Sequence, residues 1–393
     1  MYSVRVEDLV DIKENKSPFA LNDLIHICKR KNNAKRDYLF VDRFQGKHIP
    51  ESPSKILTLF DSFYSEIESK LSENDKIVVV GFAETATGLA EYVSHRMSNS
   101  DKLSKSLVYH LQTTREEYVK SKKLFTFDEE HSHAVSQFLY CDKKLPDFNR
   151  VLFIEDEITT GKTILNFIDK FKEINPECKY SVASILNWQN KESIDKYNSE
   201  EIDRIYLVSG WIKNDIQPII LAENEVFEYY DSERIHRYQD DTYYGDINYN
   251  NSRLGLSAKY VKKSYDRIVK DLVYGIDTFV DSDDSVMFIG AEEYMYVPLL
   301  VAYHYEKNKK CAKATYRATT RSPITPSTED NYIIKDGISI SSAYGDRKTF
   351  LYNISGDYNK IVVIADTYMN EDFKQQMCDL AGKNNKKILF VEV

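Results

Sequence analysis

Glycine is scarce in this sequence, with 13 among 393 residues, about half the usual share of ~7%. Where it does occur, backbone geometry is expected to require it. Cysteine is sparse and scattered: Cys28, Cys141, Cys178, Cys311 and Cys378 form no CxxC pair. That excludes a CxxC zinc site and reads as reduced core thiols. No apolar run approaches the ~18 residues that a membrane-spanning helix needs. Positive charge is also short, with 53 Lys+Arg against 62 Asp+Glu and a net charge of −9. Such a balance argues against a duplex-DNA binder and leaves room only for a local basic pocket. Residues 1–8 carry acids where a signal peptide would be basic and then apolar, so the expected compartment is the cytoplasm. The remaining proportions, 42% hydrophobic and 29% charged, exclude global disorder. The length suits two or three domains of roughly 150 residues each.

Residues 1–75 read as helical and mixed, interrupted at 46–53 by Pro50 and Pro53. Ile56, Leu57, Leu59, Phe60, Phe63 and Ile67 mark an amphipathic helix. Ile77, Val78, Val79 and Val80, closed by Gly81, predict a strand buried on both faces. Further strands are expected at 107–111, 136–140, 151–154, 180–186 and 204–208, with helices at 88–97 and 163–174. This alternation predicts an α/β fold with a mainly parallel sheet. A tyrosine- and acid-rich stretch from Trp211 to Asn251 reads as a connector, and a second α/β pattern begins near Leu254.

The sharpest motif runs from Val151 to Thr163. Four apolar residues lead into Glu155 and Asp156, and a hydroxyl-rich turn with Gly161 then opens a helix carrying Ile164, Leu165, Phe167, Ile168 and Phe171. Gly161, Lys162 and Thr163 match the end of a P-loop, but that motif needs a glycine at the position of Asp156. Two carboxylates there would repel a triphosphate. Backbone amides of residues 159–163 at a helix N-terminus would instead hold one phosphate, helped by the hydroxyls of Thr159, Thr160 and Thr163. Glu155 and Asp156 can accept from a pair of sugar hydroxyls, directly or through a divalent ion. Acids for a diol beside an amide nest for a phosphate describe a ribose 5-phosphate site.

These residues resemble the 5-phosphoribosyl-1-diphosphate (PRPP) motif of type I phosphoribosyltransferases, and the match is complete from Val151 to Thr163. The resemblance implies a parallel-sheet phosphoribosyltransferase fold, PRPP and a nucleobase-like acceptor as partners, and Mg²⁺ as cofactor with Glu155 and Asp156 near it. It assigns PRPP contacts to Glu155, Asp156, Thr159, Thr160, Gly161, Lys162 and Thr163, with Asp156 also catalytic. Gly81, Phe82, Ala83, Glu84, Thr85 and Gly88 resemble the family's pyrophosphate loop. Glu84 departs from its usual apolar or basic residue; reaching the metal and facing water both stay open. Arg115 is the expected pyrophosphate cation. His131 and His133 are candidate proton handlers or loop anchors; a metal pair there lacks an evident third ligand. Lys47, His48 and Trp211 are candidates for a hood over the acceptor.

Residues 46–50, Thr113–Arg115, 129–134 and Thr319–Ile324 narrow the resemblance to orotate-phosphoribosyltransferase-like proteins of tellurite-resistance gene clusters. Their C-terminal TRSP domain is named for the residues that stand here as Thr320, Arg321, Ser322 and Pro323. That group implies a stress-linked pathway making a nucleoside-like molecule. Four segments also recur in order at similar spacing: 78–84 with 287–293, 113–115 with 319–321, 138–140 with 350–352, and 149–156 with 359–366. Asp366 is followed by Thr367, Tyr368 and Met369 and no glycine, so the second copy is expected to be degenerate and unable to bind PRPP, with Tyr368 and Met369 impeding the phosphate. The expected organisation is a phosphoribosyltransferase domain with an N-terminal hood at 1–215, a connector at 216–253 and a TRSP repeat at 254–393. Such copies fit a homodimer or an intramolecular pseudo-dimer, in which Arg321 could serve the first site. The rival reading is a non-catalytic regulator that binds PRPP or a nucleotide, because a fold alone does not set function.

Overall fold

A computed structural model describes residues 2–31, 36–118, 120–127, 137–141, 144–214, 216, 218–221, 227–229, 241–244 and 252–393. The first half begins with α1 (Val6–Leu9), β1 (Val10–Asn15), α2 (Leu21–Leu24) and the antiparallel pair β2 (Ile25–Lys29) and β3 (Tyr38–Asp42). The stretch read as helical thus supplies a small two-stranded sheet. The expected amphipathic helix is α3 (Pro53–Lys70), started by Pro53, whose missing N–H costs nothing in a first turn. There follow β4 (Lys76–Gly81), α4 (Thr87–Ser98), β5 (Leu107–Thr114), β6 (Lys123–Phe127), β7 (Gln137–Tyr140), β8 (Arg150–Ile158), α5 (Lys162–Ile174), β9 (Lys179–Asn187), α6 (Lys191–Ser199) and β10 (Asp203–Ile212).

Strands β4, β5, β8, β9 and β10 are mutually parallel at the centre of a sheet ordered β1-β10-β9-β8-β4-β5-β7-β6. Residues 77–80 of β4 are wholly buried, as a strand covered on both faces must be. Strand β8 does not stop at Ile154: it continues through Glu155, Asp156 and Glu157 to Ile158, still paired with β9. The two acids are therefore held in rigid ladder geometry rather than in the turn.

The second half contains β11 (Phe227–Tyr229), β12 (Asp241–Tyr244), β13 (Leu256–Ser257), α7 (Ala258–Ile276), β14 (Ser285–Gly290), α8 (Tyr296–Lys307), β15 (Lys313–Ala318), β16 (Gly337–Ser341), β17 (Lys348–Tyr352), β18 (Lys360–Ala365), α9 (Glu371–Lys383) and β19 (Lys387–Glu392). A five-stranded parallel sheet has the order β12-β19-β18-β14-β15, beside a three-stranded β11-β16-β17. Strands β11 and β12 lie within the segment read as a connector, so part of it belongs to the sheets of the second half.

The two halves repeat one plan down to individual bonds. Gly81 pairs with Ile154 and Gln112; Gly290 pairs with Ile364 and Ala318. Asn149 Oδ1 accepts from Lys76 N at 2.8 Å, and Asn359 Oδ1 accepts from Ser285 N at 2.8 Å. Thr113 Oγ1 accepts from Ala83 N at 2.7 Å, and Thr319 Oγ1 from Glu292 N at 2.9 Å. Thr114 pairs with Phe138 as Thr320 pairs with Phe350.

The halves also exchange backbone. The segment before α3 crosses to β15, pairing Glu51 with Tyr316, while β13, just before α7, crosses to β5, pairing Leu256 with His110. Helices follow suit: α3 packs on α8, α7 on α4, and α4 on α8. His95 Nδ1 lies 2.7 Å from Tyr296 Oη across this seam. Among the described residues no helix is long and apolar enough to cross a membrane, and all five cysteines are free and buried.

Glu91 of α4 is buried at the seam, accepting from Ser252 Oγ at 2.7 Å and Tyr265 Oη at 2.8 Å. Desolvation pushes its carboxyl up to about 7, against those two hydrogen bonds. A folded-state value above the unfolded one means the contribution is fully present below the unfolded pKa of 4.5 and is lost as pH rises through about 7. Glu91→Gln should remove a decline of about 3 kcal/mol over that window. Denaturant midpoints of the two proteins, measured across the window, check this; parallel curves would refute it.

Candidate active site

The C-terminal ends of β4 and β8 lie side by side and bring two loops together. The loop after β4 is fixed by Phe82 N donating to Ile154 O at 3.1 Å and Ala83 N to Thr113 Oγ1 at 2.7 Å. Phe82 is core, its ring edge-on to Phe167 at 4.9 Å. The Ala83–Glu84 peptide is cis. Thr85 Oγ1 donates to Asp156 Oδ1 at 2.7 Å, so the two loops meet at that carboxylate. The other oxygen of Asp156 accepts from Gln45 Nε2 at 2.6 Å. Gln45 follows β3, and Arg36, just before β3, donates to Glu157 Oε1 at 2.7 Å. The N-terminal hairpin is thereby tied over the end of β8. Glu155 Oε1 accepts from Asp156 N at 3.1 Å.

Beyond Ile158 the turn opens. Gly161 has φ +67° at the start of α5, and an added Cβ would meet Tyr197 Oη at 2.2 Å. Tyr197 Oη in turn donates to Gly161 O at 3.0 Å, and Ser193 Oγ to Thr160 O at 2.7 Å. The carbonyls of the turn are thus occupied from below. The N–H groups of Thr159, Thr160 and Gly161 make no hydrogen bond to the described residues. Thr160, Lys162 and Thr163 are exposed and Thr159 half-buried. The turn thus presents these N–H donors at a helix N-terminus, a geometry that suits an anion. The stripe Ile164, Phe167, Ile168 and Phe171 at helical spacing anchors α5 beneath it.

The second half answers the same geometry differently. Met369 N donates to Glu392 Oε1 at 2.8 Å, and Lys374 pairs with that buried carboxylate at 2.9 Å. The protein's own anion fills the second turn. Asp366 is taken by Arg253 and by Tyr344 Oη at 2.8 Å. Of the two residues expected to impede a phosphate there, Tyr368 is 55% exposed, whereas Met369 is buried at the turn and its N–H is the one Glu392 takes.

The remaining sequence candidates gather at the seam. Buried Glu84 pairs with Lys47 at 3.4 Å and Arg115 at 3.7 Å, and accepts from Arg321 N at 2.6 Å. Burial raises its pKa, but these cations and the amide outweigh it and hold the carboxyl below its ordinary value. Lys47 is fully buried, donating also to Glu292 O at 2.7 Å. The Arg321 guanidinium is bound by Glu292 at 2.5 Å and Glu116 at 2.6 Å. In mirror fashion Glu293 accepts from Arg115 N at 3.2 Å and Arg253 Nε at 3.0 Å. His48 is buried, its pKa pushed down to about 4 by desolvation. Trp211 stands on the edge-adjacent β10, half exposed under Lys13. Gly81 lets α4 approach, since its Cβ would meet Ala90 Cβ at 2.4 Å. Gly88 does the same for the other half, at 2.9 Å from Met295 Cβ. His131 and His133 lie outside the described residues.

Asp42, Gln45, Arg36 and Tyr197 escape the motif reading, although Gln45 directly precedes the Gly46–Pro50 segment and Asp42 closes the alternation Tyr38, Phe40, Asp42. Among the described residues no group of three or more His, Cys, Asp or Glu could hold a metal. Two hard carboxylates at the end of β8 fit a Mg²⁺ ion that draws its other oxygens from a phosphorylated substrate.

The family described as Phosphoribosyl transferase matches residues 24–210, and that described as TRSP domain C terminus to PRTase_2 matches residues 250–380. No curated protein matches the chain. Among solved structures, adenine phosphoribosyltransferase from Trypanosoma brucei is 12% identical, with 48% of this chain and 77% of that one covered, at a TM-score of 0.35. The enzyme from Giardia lamblia is 18% identical, with 47% and 93% covered, at 0.34. Orotate phosphoribosyltransferase from Aeropyrum pernix is 12% identical, with 48% and 89% covered, at 0.31.

Positive φ and contact with Tyr197 both penalise a side chain at position 161. Gly161→Ala should lower stability by about 1–3 kcal/mol without any ligand present. Chemical denaturation measures it; an unchanged midpoint would mean that the turn does not need its left-handed residue.

Proposed function

With residues 24–210 belonging to the phosphoribosyl transferase family and residues 250–380 to its TRSP companion, we propose that the chain transfers the 5-phosphoribosyl group of PRPP to a nucleobase-like nitrogen, releasing pyrophosphate. The observation that supports this most is the open amide seat at 159–161 beside a carboxylate clamped by both Thr85 and Gln45. In this reading the seat takes the 5-phosphate, and Glu155 and Asp156 orient the ribose hydroxyls, with Asp156 exchanging its clamps for the sugar. The residue 82–85 loop and Arg115 face the pyrophosphate. Mg²⁺, held through Glu155 or Asp156 together with substrate oxygens, would offset charge on the leaving group. The acceptor nitrogen bonds to the anomeric carbon as the carbon–oxygen bond to pyrophosphate breaks and its electron pair leaves with pyrophosphate.

The catalytic unit is proposed to span residues 1–215, including the hairpin hood, with 216–253 as the link and 254–393 as a non-binding partner. Lys47, His48 and Arg321 act in this account by fixing the loops across the seam. The cytoplasm and a stress-linked nucleoside-like product are part of the proposal.

Replacing Glu155 by Gln and Asp156 by Asn together should reduce PRPP-dependent pyrophosphate release by at least about 100-fold, a loss typical of removed electrostatic stabilisation. The circular dichroism spectrum should not change. A folded double variant with full turnover would remove the ribose assignment. PRPP binding by the wild type without turnover on any base would return the regulatory reading.

A further inference from the structure

The two copies differ at one strand position beneath the turn. Glu155 pairs with Ser184 across β8 and β9, and Ala365, the counterpart of Glu155, pairs with Glu392 across β18 and β19. Ser184 thus stands where the second copy has Glu392. Both lie on the face of their sheet that the following helix covers. Val182, on the same face as Ser184, shares a hydrophobic cluster with Phe167 and Phe171 of α5. Phe390, on the same face as Glu392, shares one with Phe373 and Met377 of α9.

Glu392 marks what that position can reach. Its Oε1 accepts from Met369 N at 2.8 Å, and Lys374 balances the carboxylate at 2.9 Å. Met369 directly precedes Asn370, the cap of α9. Counted from Ala365, its counterpart in the first copy is Thr159; counted back from Gly161, the cap of α5, it is Thr160. Both of those N–H groups are open among the described residues. The balancing cation is gone as well: by the same two counts, Ile164 or Leu165 stands at the place of Lys374. The first copy has lost the carboxylate and its lysine together.

What remains is a donor. Ser184 Oγ is fully buried and has no hydrogen-bond partner among the described residues. Leaving a buried hydroxyl unpaired is costly, and alanine would fill the same space without that cost. Serine also ends short of where a glutamate carboxylate reaches. The place of one oxygen atom, taken by Glu392 Oε1 in the second copy, therefore stays between Ser184 Oγ and the turn amides.

We infer that Ser184, which lies outside the phosphate motif, is a binding residue of the first site. Its hydroxyl donates to one oxygen of a bound phosphate monoester, and the N–H of Thr159 or Thr160 donates to the same oxygen. This strand position decides which copy accepts an outside anion: serine leaves the amide open and adds a donor, whereas glutamate supplies the anion itself. The inference rests on the reading of the turn as a phosphate seat and extends that seat to the neighbouring strand, whatever the acceptor.

Ser184→Ala removes the donor and keeps the space. The probes are ribose 5-phosphate, for the seat, and pyrophosphate with Mg²⁺, for the loop at 82–85, each titrated calorimetrically into the full-length chain. Ser184→Ala should weaken ribose 5-phosphate by about tenfold or more, the loss expected when a hydrogen bond to a charged group is removed. Pyrophosphate affinity should not change. Without ligand, the denaturation midpoint of the variant should equal or exceed that of the wild type, because the hydroxyl removed has no partner to lose.

Unchanged ribose 5-phosphate affinity in Ser184→Ala overturns the inference and leaves the transferase reading standing, since the turn then holds phosphate without Ser184. Equal weakening of both probes with a lowered midpoint also overturns it, because the serine would then serve the fold. If the wild type takes pyrophosphate but not ribose 5-phosphate, the seat falls and the inference with it. If the wild type binds ribose 5-phosphate yet turns over no base, the transferase reading falls instead, and the same two affinities still decide the role of Ser184.

Discussion

Two buried glutamates, crossed between the halves, are the constraint on which the rest depends. Glu84 takes the backbone N–H of Arg321, and Glu293 takes that of Arg115. Each carboxylate has left water and is repaid by cations from its own side and an amide from the other. Removing one partner of such a pair leaves an uncompensated charge, so the seam cannot loosen in part. Since Glu84 belongs to the loop that also sends Thr85 to Asp156, the electrostatics of the seam set the position of the candidate site.

From this common frame the two copies diverge at one spot. The turn after β8 keeps a left-handed glycine and open amides, whereas the turn after β18 satisfies its amide with Glu392. A carboxylate fed from the neighbouring strand thus takes, in the second turn, an amide whose counterpart in the first stays open among the described residues. The difference lies in a handful of residues while the strand registers remain superposable. Fold and chemistry have been inherited separately here.

Much of this could be read in the chain because the relevant chemistry is local. The run from Val151 to Thr163 carries its strand, acids, turn and helix in consecutive residues, and the repeat shows because buried strands closed by Gly81 and Gly290 tolerate little variation. What escaped depends on where distant segments land. Gln45 and Asp156 are 111 residues apart, and nothing in either neighbourhood announces the other. The extension of β8 to Ile158 was hidden because charged residues at the open end of a sheet look like a turn. Strands β11 and β12 were hidden because three or four residues amid tyrosines and acids carry no clear period. Glu392 was invisible because it lies on the last strand, far along the chain from the turn it serves, and takes a backbone amide there, which leaves no trace in side-chain patterns.

The exchange of crossing segments has a consequence for how the chain is made. Translation delivers β5 long before β13, about 145 residues later, exists to cover its edge, and delivers the 46–51 segment long before β15 exists to receive it. At roughly 5–20 residues per second, the first half waits on the order of ten seconds with one strand edge and the outer face of α4 uncovered. An uncovered edge invites pairing with a neighbouring chain. The ribosome thus holds a half-built molecule whose correct partner has yet to be synthesised, and on a crowded polysome a second nascent copy is the nearest imitation of it.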